Sequence, residues 1–229
     1  MQRLTFKLGT DEVEVVTAQI DISSDALETC AKTLSPVEIN TARQFKFARD
    51  RIRYIFVHAT LRELIGIRVG VAPNLIHFEY GEFGKPMLKT GLINSDFFFN
   101  LSHTKNHVVF AFSKSFEVGI DIEALSQTSD SHMIASQFFS LQEFNMYRAL
   151  PQTAKTQGFL NCWTRKEAFI KALGLGLNYA LDSFDVTLHP DEPAKILAIR
   201  NPIDSRRSWF MESFTPAPDH VGCIVSMQQ

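Results

Sequence analysis

Three acids and two lysines in this chain are spaced as a phosphate-handling site would need them. In Val118-Gly119-Ile120-Asp121-Ile122-Glu123 a strand turns Val118, Ile120 and Ile122 to one side and Asp121 and Glu123 to the other. Two carboxylates side by side repel unless a cation lies between them. Magnesium suits that place, because it takes one or two carboxylates and completes its shell with water and phosphate oxygens. The bland alternative is a half-buried strand with a solvated acidic face. A third acid changes the balance. In Trp163-Thr164-Arg165-Lys166-Glu167-Ala168-Phe169-Ile170-Lys171 a helix puts Glu167 and Lys171 on one face, with Trp163 a turn earlier. Alone, such a pair is a common surface contact worth about 0.2–0.5 kcal/mol. Beside the acidic strand it points to a metal and phosphate site.

Other segments offer cations for phosphate. Arg43, Lys46, Arg49, Arg51 and Arg53 crowd together with only Asp50 opposing them. Guanidinium groups bind phosphate oxygens in two-pronged fashion, although a solvated basic helix face is the ordinary outcome for any one arginine. Gly84-Lys85-Pro86 sets an ammonium in a turn, and Ser102-His103 follows a Phe-rich strand where an imidazole can donate to phosphate. His103 and His107 lack the third soft ligand and the helical setting of a zinc site.

These residues need elements to hold them. Residues 13–21 read as a strand. Ser35-Pro36-Val37-Glu38 is a helix start with a capping box, and the helical pattern runs to about Gly66 with a break near Arg49-Asp50. Phe97 to Ser113 reads as paired strands interrupted at residues 102–106. Residues 131–148 and 158–173 read as helices, the second stopped by Gly174. Strands at about 183–188, 195–200, 207–214 and 220–227 complete the chain. The order predicts an α+β fold of two halves, residues 1–115 and 116–229, joined near Lys114–Glu117 and sharing an interface.

Composition sets the outer bounds. The chain has 229 residues, 45% of them apolar and 21% charged, as a soluble globular protein would. Its twenty phenylalanines against two tryptophans predict cores built on Phe. No apolar run reaches the roughly 18 residues that span a bilayer, and the N-terminus is not a signal peptide. Cys30, Cys162 and Cys223 fall in no metal-ligand spacing and read as reduced cytoplasmic thiols. A net charge of −2 gives no general pull toward nucleic acid.

Taken together, Phe99-Asn100-Leu101-Ser102-His103, the acidic strand and the Trp163–Lys171 helix resemble the Sfp-type phosphopantetheinyl transferases. Ser35-Pro36, Asp50 with Arg53, Gly84-Lys85-Pro86, Phe138-Phe139-Ser140 with Glu143, Gly174-Leu175-Gly176-Leu177 and Leu181-Asp182-Ser183-Phe184 also fit, so the likeness spans about residues 35–186. The resemblance implies two α+β halves in a pseudo-twofold arrangement with coenzyme A in the cleft between them. It implies that Asp121, Glu123 and Glu167 bind magnesium or manganese, and that Arg53 meets the 3′-phosphate end of the nucleotide. Gly84, Lys85, Pro86, Ser102 and His103 would line the phosphate path, with Lys166 and Lys171 near the pyrophosphate. Glu167 would act as base, directly or through water, and Lys171 would assist the leaving phosphate. Residues 125–145, with Phe138 and Phe139, would dock an acyl, peptidyl or other carrier protein. One departure stands out: Glu38 and Thr41 occupy places where lysines that hold the 3′-phosphate are usual in this family, so either Arg43, Lys46 or Arg49 substitutes or the 3′-phosphate is held less firmly. The competing readings are a binding module without chemistry and another magnesium-dependent enzyme that cleaves nucleotide pyrophosphates.

Overall fold

A computed structural model of the chain describes residues 1–89, 91, 96–126 and 130–228. The N-terminal half opens with strands β1 (Gln2–Leu8) and β2 (Asp11–Gln19), then helices α1 (Ser24–Ala31), α2 (Pro36–Gln44) and α3 (Ala48–Val69). A small hairpin, β3 (Phe78–Tyr80) and β4 (Pro86–Leu88), precedes β5 (Phe98–Thr104) and β6 (His107–Ser113). The second half runs β7 (Glu117–Ala124), α4 (Ser131–Phe138), α5 (Leu141–Ala149), α6 (Lys155–Leu173), β8 (Phe184–Val186), β9 (Ile196–Ile199), β10 (Ser208–Phe214) and β11 (His220–Gln228).

Each half lays one long helix on an antiparallel sheet. The first sheet has the order β1-β2-β6-β5 and the second β10-β11-β7. Val57, Leu61, Leu64 and Ile65 of α3 pack on Val16, Phe99, Phe110 and Phe112, while Cys162, Phe169 and Ala172 of α6 pack on Met211, Cys223 and Val225. A third apolar layer joins the halves: Val13, Val15, Val109 and Ala111 meet Val118, Ile120, Ile122 and Ile224. Strand β6 is therefore buried on both faces, which is why Val108 to Phe112 is apolar without alternation. The pseudo-twofold arrangement of two α+β halves is the observed architecture.

Edge strand β5 of the first sheet lies along edge strand β7 of the second. The Ile120 amide donates to Asn100 Oδ1 at 3.3 Å, so the two strands are held by side chains as well as packing. Gly119 sets the distance from β7 to α6. A Cβ there would collide with the Ala168 carbonyl oxygen and the Ala172 amide. That close approach brings the acidic face of β7 to the face of α6 that carries Glu167 and Lys171.

Three boundaries differ from the sequence reading. The break before α3 falls at Phe45–Phe47, where the backbone is extended, and Asp50 enters the first helical turn, favourable to the helix dipole. The 131–148 segment is two helices, because Ser140 caps α5 with Glu143 completing the box. Strand β5 continues through Ser102-His103-Thr104, and only Lys105-Asn106 form the turn, with Lys105 left-handed at φ 49°. The sequence reading also assigned no element to β1 or α1.

Candidate active site

Strand alternation puts Ser102 and Thr104 of β5 on the side where β7 presents Asp121 and Glu123. Ser102 Oγ donates to Asp121 Oδ1 at 2.7 Å, and Thr104 Oγ1 donates to Glu123 Oε2 at 3.0 Å. From α6, Lys171 Nζ reaches Asp121 Oδ1 at 2.7 Å and Ser102 Oγ at 3.1 Å. Leu101, Ser102, His103, Asp121, Glu123, Trp163, Glu167 and Lys171 enclose a cleft of about 330 Å³. Leu101, Glu167 and Lys171 also line a second groove of about 380 Å³, walled by α3, the β3–β4 hairpin and the C-terminal end of α6. Glu167 and Lys171 thus stand where an acidic cleft opens into an aromatic groove.

The acids repel one another. Burial raises the Glu167 carboxyl above its ordinary value, with the Asp121 and Glu123 charges adding to the rise against Lys171. Burial and the Asp121 charge raise Glu123 likewise, against its Thr104 bond. His103 is pushed down by desolvation and by the Arg53 and Lys171 cations.

These features test whether a divalent cation suits the cleft. Asp121 is 4% exposed, yet its buried Oδ2 has no hydrogen-bond partner. An orphaned carboxylate oxygen, two repelling neighbours and an all-oxygen set match a hard cation. Among the described residues no three metal-ligating side chains already converge, so the site is no closed protein cage. Magnesium needs none, because substrate oxygens and water fill most of its shell.

The repulsion carries a stability prediction. A carboxyl whose folded pKa is raised binds its proton more tightly in the folded state. Ionising it therefore costs stability, progressively from the unfolded value of 4.5 up to the raised folded value. Glu123→Gln should raise the melting temperature in chelator near pH 8 by roughly 2–4 °C per kcal/mol of repulsion relieved. It should make little difference near pH 4. A lower melting temperature for Glu123→Gln near pH 8 would contradict this picture.

The remaining predicted residues divide. Gly84, left-handed at φ 84°, and Pro86 line the aromatic groove. Lys85 lines it too, but its ammonium is engaged by Glu117 at 2.5 Å and by the Ala172 carbonyl at 3.0 Å, tying the hairpin to β7 and α6. Arg53 lines neither the cleft nor the groove; it lies 3.7 Å from Asp50 Oδ1 with its buried Nε unpartnered, and its charge reaches His103.

Lys166 is not in the cleft. It falls on the helix stripe shared with Cys162, Phe169 and Ile170, is fully buried, and donates to the carbonyls of Leu181 at 2.6 Å and Phe184 at 2.7 Å. Its ion pair with Glu143 is 2.8 Å long, and Glu143 also accepts from the Ser140 and Val186 amides. The expected pyrophosphate contact by Lys166 is therefore corrected to a structural one. Phe139 is also corrected: it is 5% exposed and stacks on Phe159, so it belongs to the core.

Met133, Phe138 and Leu141 are exposed, and Phe138 meets Trp163 edge-on beside the cleft. Of the 125–145 segment, residues 127–129 lie outside the described residues. Glu38 is buried beneath α2, and Thr41 donates to its own helix at Val37. Arg43, Lys46 and Arg49 are exposed and do not line the groove. The sequence reading missed Thr104. Extending the period-two pattern two residues past Ser102 would have found it.

Known proteins resemble this chain over most of its length. A family model described as the 4′-phosphopantetheinyl transferase superfamily matches residues 117–225, and one described as 4′-phosphopantetheinyl transferase, N-terminal, matches residues 21–115. The 4′-phosphopantetheinyl transferase HetI of Nostoc sp. is 36% identical over 189 residues, covering 82% of this chain and 79% of its own. The 4′-phosphopantetheinyl transferase Sfp of Bacillus subtilis is 33% identical over 175 residues, covering 76% and 75% respectively. A human relative, the L-aminoadipate-semialdehyde dehydrogenase-phosphopantetheinyl transferase, is 29% identical over 167 residues, covering 69% of this chain and 54% of its own.

Proposed function

The chain belongs to the 4′-phosphopantetheinyl transferase superfamily, and from that premise we propose that it moves phosphopantetheine from coenzyme A to a serine of a carrier protein. The observation that supports this most is the meeting of Asp121, Glu167 and Lys171 where the acidic cleft joins the aromatic groove. The nucleotide end of coenzyme A would occupy the groove, mainly on residues 1–115. Its pyrophosphate would reach Lys171, and the carrier serine would enter from the second half. The exposed apolar side chains Met133, Phe138 and Leu141 suit a carrier helix there, with residues 125–145 as the docking segment.

Asp121, Glu123 and Glu167 would hold magnesium or manganese, whose charge would neutralise the pyrophosphate oxygens. The chain's own groups do the rest. Glu167 takes the proton of the serine hydroxyl, directly or through water. The serine oxygen bonds to the β-phosphorus as the bridging bond to the α-phosphate breaks. Lys171, already turned toward the acids, donates to that departing oxygen, and 3′,5′-ADP leaves. Ser102 and Lys171 hold Asp121 through one oxygen and leave its buried Oδ2 without a hydrogen-bond partner.

Two experiments follow. Release of 3′,5′-ADP should require both coenzyme A and an apo carrier protein, and should stop with a serine-to-alanine carrier. Release without a carrier would favour a pyrophosphate-cleaving enzyme instead. Asp121→Ala should lower the rate and raise the magnesium concentration needed for half-maximal activity. An unchanged magnesium dependence would remove Asp121 from the metal site.

A further inference from the structure

Three side chains that can carry positive charge line the aromatic groove: His58, Lys85 and Lys171. Two of them are already engaged, Lys85 by Glu117 and Lys171 by Asp121. His58 projects from α3, on the wall opposite Glu167 and Lys171. Tyr54, one turn earlier, stacks on its ring with centroids 4.0 Å apart and planes 28° apart, which fixes the ring plane. His58 Nδ1 lies 3.4 Å from Glu38 Oε1, long for a hydrogen bond but within ion-pair range, and has no other partner.

Glu38 is built to stay charged. It is 3% exposed, and burial alone would raise its carboxyl. Contacts from His58, Arg62 and Ser35 overcome that and bring it to about 2. Arg62 Nη2 lies 2.8 Å from Glu38 Oε2, and Arg62 Nη1 is anchored on the Pro73 and Ile76 carbonyls at 2.9 and 2.8 Å. A fixed anion behind Nδ1 holds the hydrogen on that nitrogen, and the doubly protonated ring then offers a second N–H, on Nε2, as the free donor.

Resting on the function proposed above, we infer that His58 Nε2 contacts the 3′-phosphate of coenzyme A, with Glu38 as the residue that orients it. The pyrophosphate belongs to the opposite wall, at Glu167 and Lys171, so the phosphate within reach of α3 is the one on the ribose. Arg53 and His58 both act electrostatically on His103, so cationic groups of α3 lie within electrostatic reach of β5 at the edge of the groove.

Binding of coenzyme A and of 3′-dephospho-coenzyme A, measured by calorimetry with magnesium present, separates the outcomes. Wild type should prefer coenzyme A. His58→Ala should bind coenzyme A roughly tenfold or more weakly, the loss of one charge-assisted hydrogen bond, and leave dephospho-coenzyme A unchanged. His58→Lys should restore much of the preference. Glu38→Gln should lower the ratio of the two affinities, and combining it with His58→Ala should lower that ratio no further. A merely structural loss would weaken both ligands together and keep the ratio. An unchanged ratio in His58→Ala, or equal weakening of both ligands, overturns the inference alone. Failure of wild type to bind either ligand overturns the function it rests on.

Discussion

Glu167→Gln is expected to cut transfer to a carrier protein by about 10²–10⁴-fold while the protein folds normally, the range a positioned general base supplies. The amide has the shape of the carboxylate but cannot take a proton. Glu167 is half-buried and lines the cleft from α6, with Lys171 one turn on, whereas Asp121 and Glu123 reach that cleft from β7. Removing its charge also relieves repulsion with Asp121 and Glu123, so the variant should melt no lower than wild type in chelator. Single-turnover transfer and a melting curve on one preparation check both halves. Wild-type rates in Glu167→Gln would remove this residue from the chemistry. Slow turnover with a collapsed melting temperature would make the loss structural.

The second large effect belongs to Lys166, one residue away and opposite in kind. Lys166→Met leaves the Glu143 carboxylate buried without its cation, a change that costs about 3–5 kcal/mol. Against a typical total stability of about 5–15 kcal/mol that is severe. Melting should fall by roughly 6–20 °C at the usual 2–4 °C per kcal/mol for this size. Lys166→Met with Glu143→Gln removes the stranded charge and keeps an acceptor for the Val186 amide, so it should recover part of the loss. Below its melting point Lys166→Met should keep the wild-type affinity for coenzyme A. A stable Lys166→Met protein that binds coenzyme A poorly would return Lys166 to the pyrophosphate.

The contrast between these neighbours shows what could be read from the chain. The period of two on β7 and the four-residue spacing on α6 are local rules, so they put Asp121 with Glu123 on one strand face and Glu167 with Lys171 on one helix face, and the fold brings the two faces to one cleft. The same helical rule applied to Lys166 gives the stripe of Cys162, Phe169 and Ile170, all buried. Reading it as a motif lysine instead of by its position led to the wrong side of the helix. The packing of β5 against β7 was not legible, because the Ser102–Asp121 and Thr104–Glu123 bonds join strands of different sheets. Nor was the Glu38–Arg62 pair, which depends on α2 folding back across α3. In the sequence Glu38 is a capping residue, which it is, and nothing local shows that its other oxygen faces His58. Phe138 and Phe139 look alike in the chain. The turn into Ser140 buries one and exposes the other.

The central claim is that this site joins phosphopantetheine to a carrier serine, and intact mass of the carrier tests it most directly. An apo acyl or peptidyl carrier protein incubated with this protein, coenzyme A and magnesium should gain one phosphopantetheine unit. The gain should vanish with chelator and with a serine-to-alanine carrier. Carriers of several classes that all keep their apo mass, while coenzyme A still binds in the groove, would contradict the account and leave a binding module in its place.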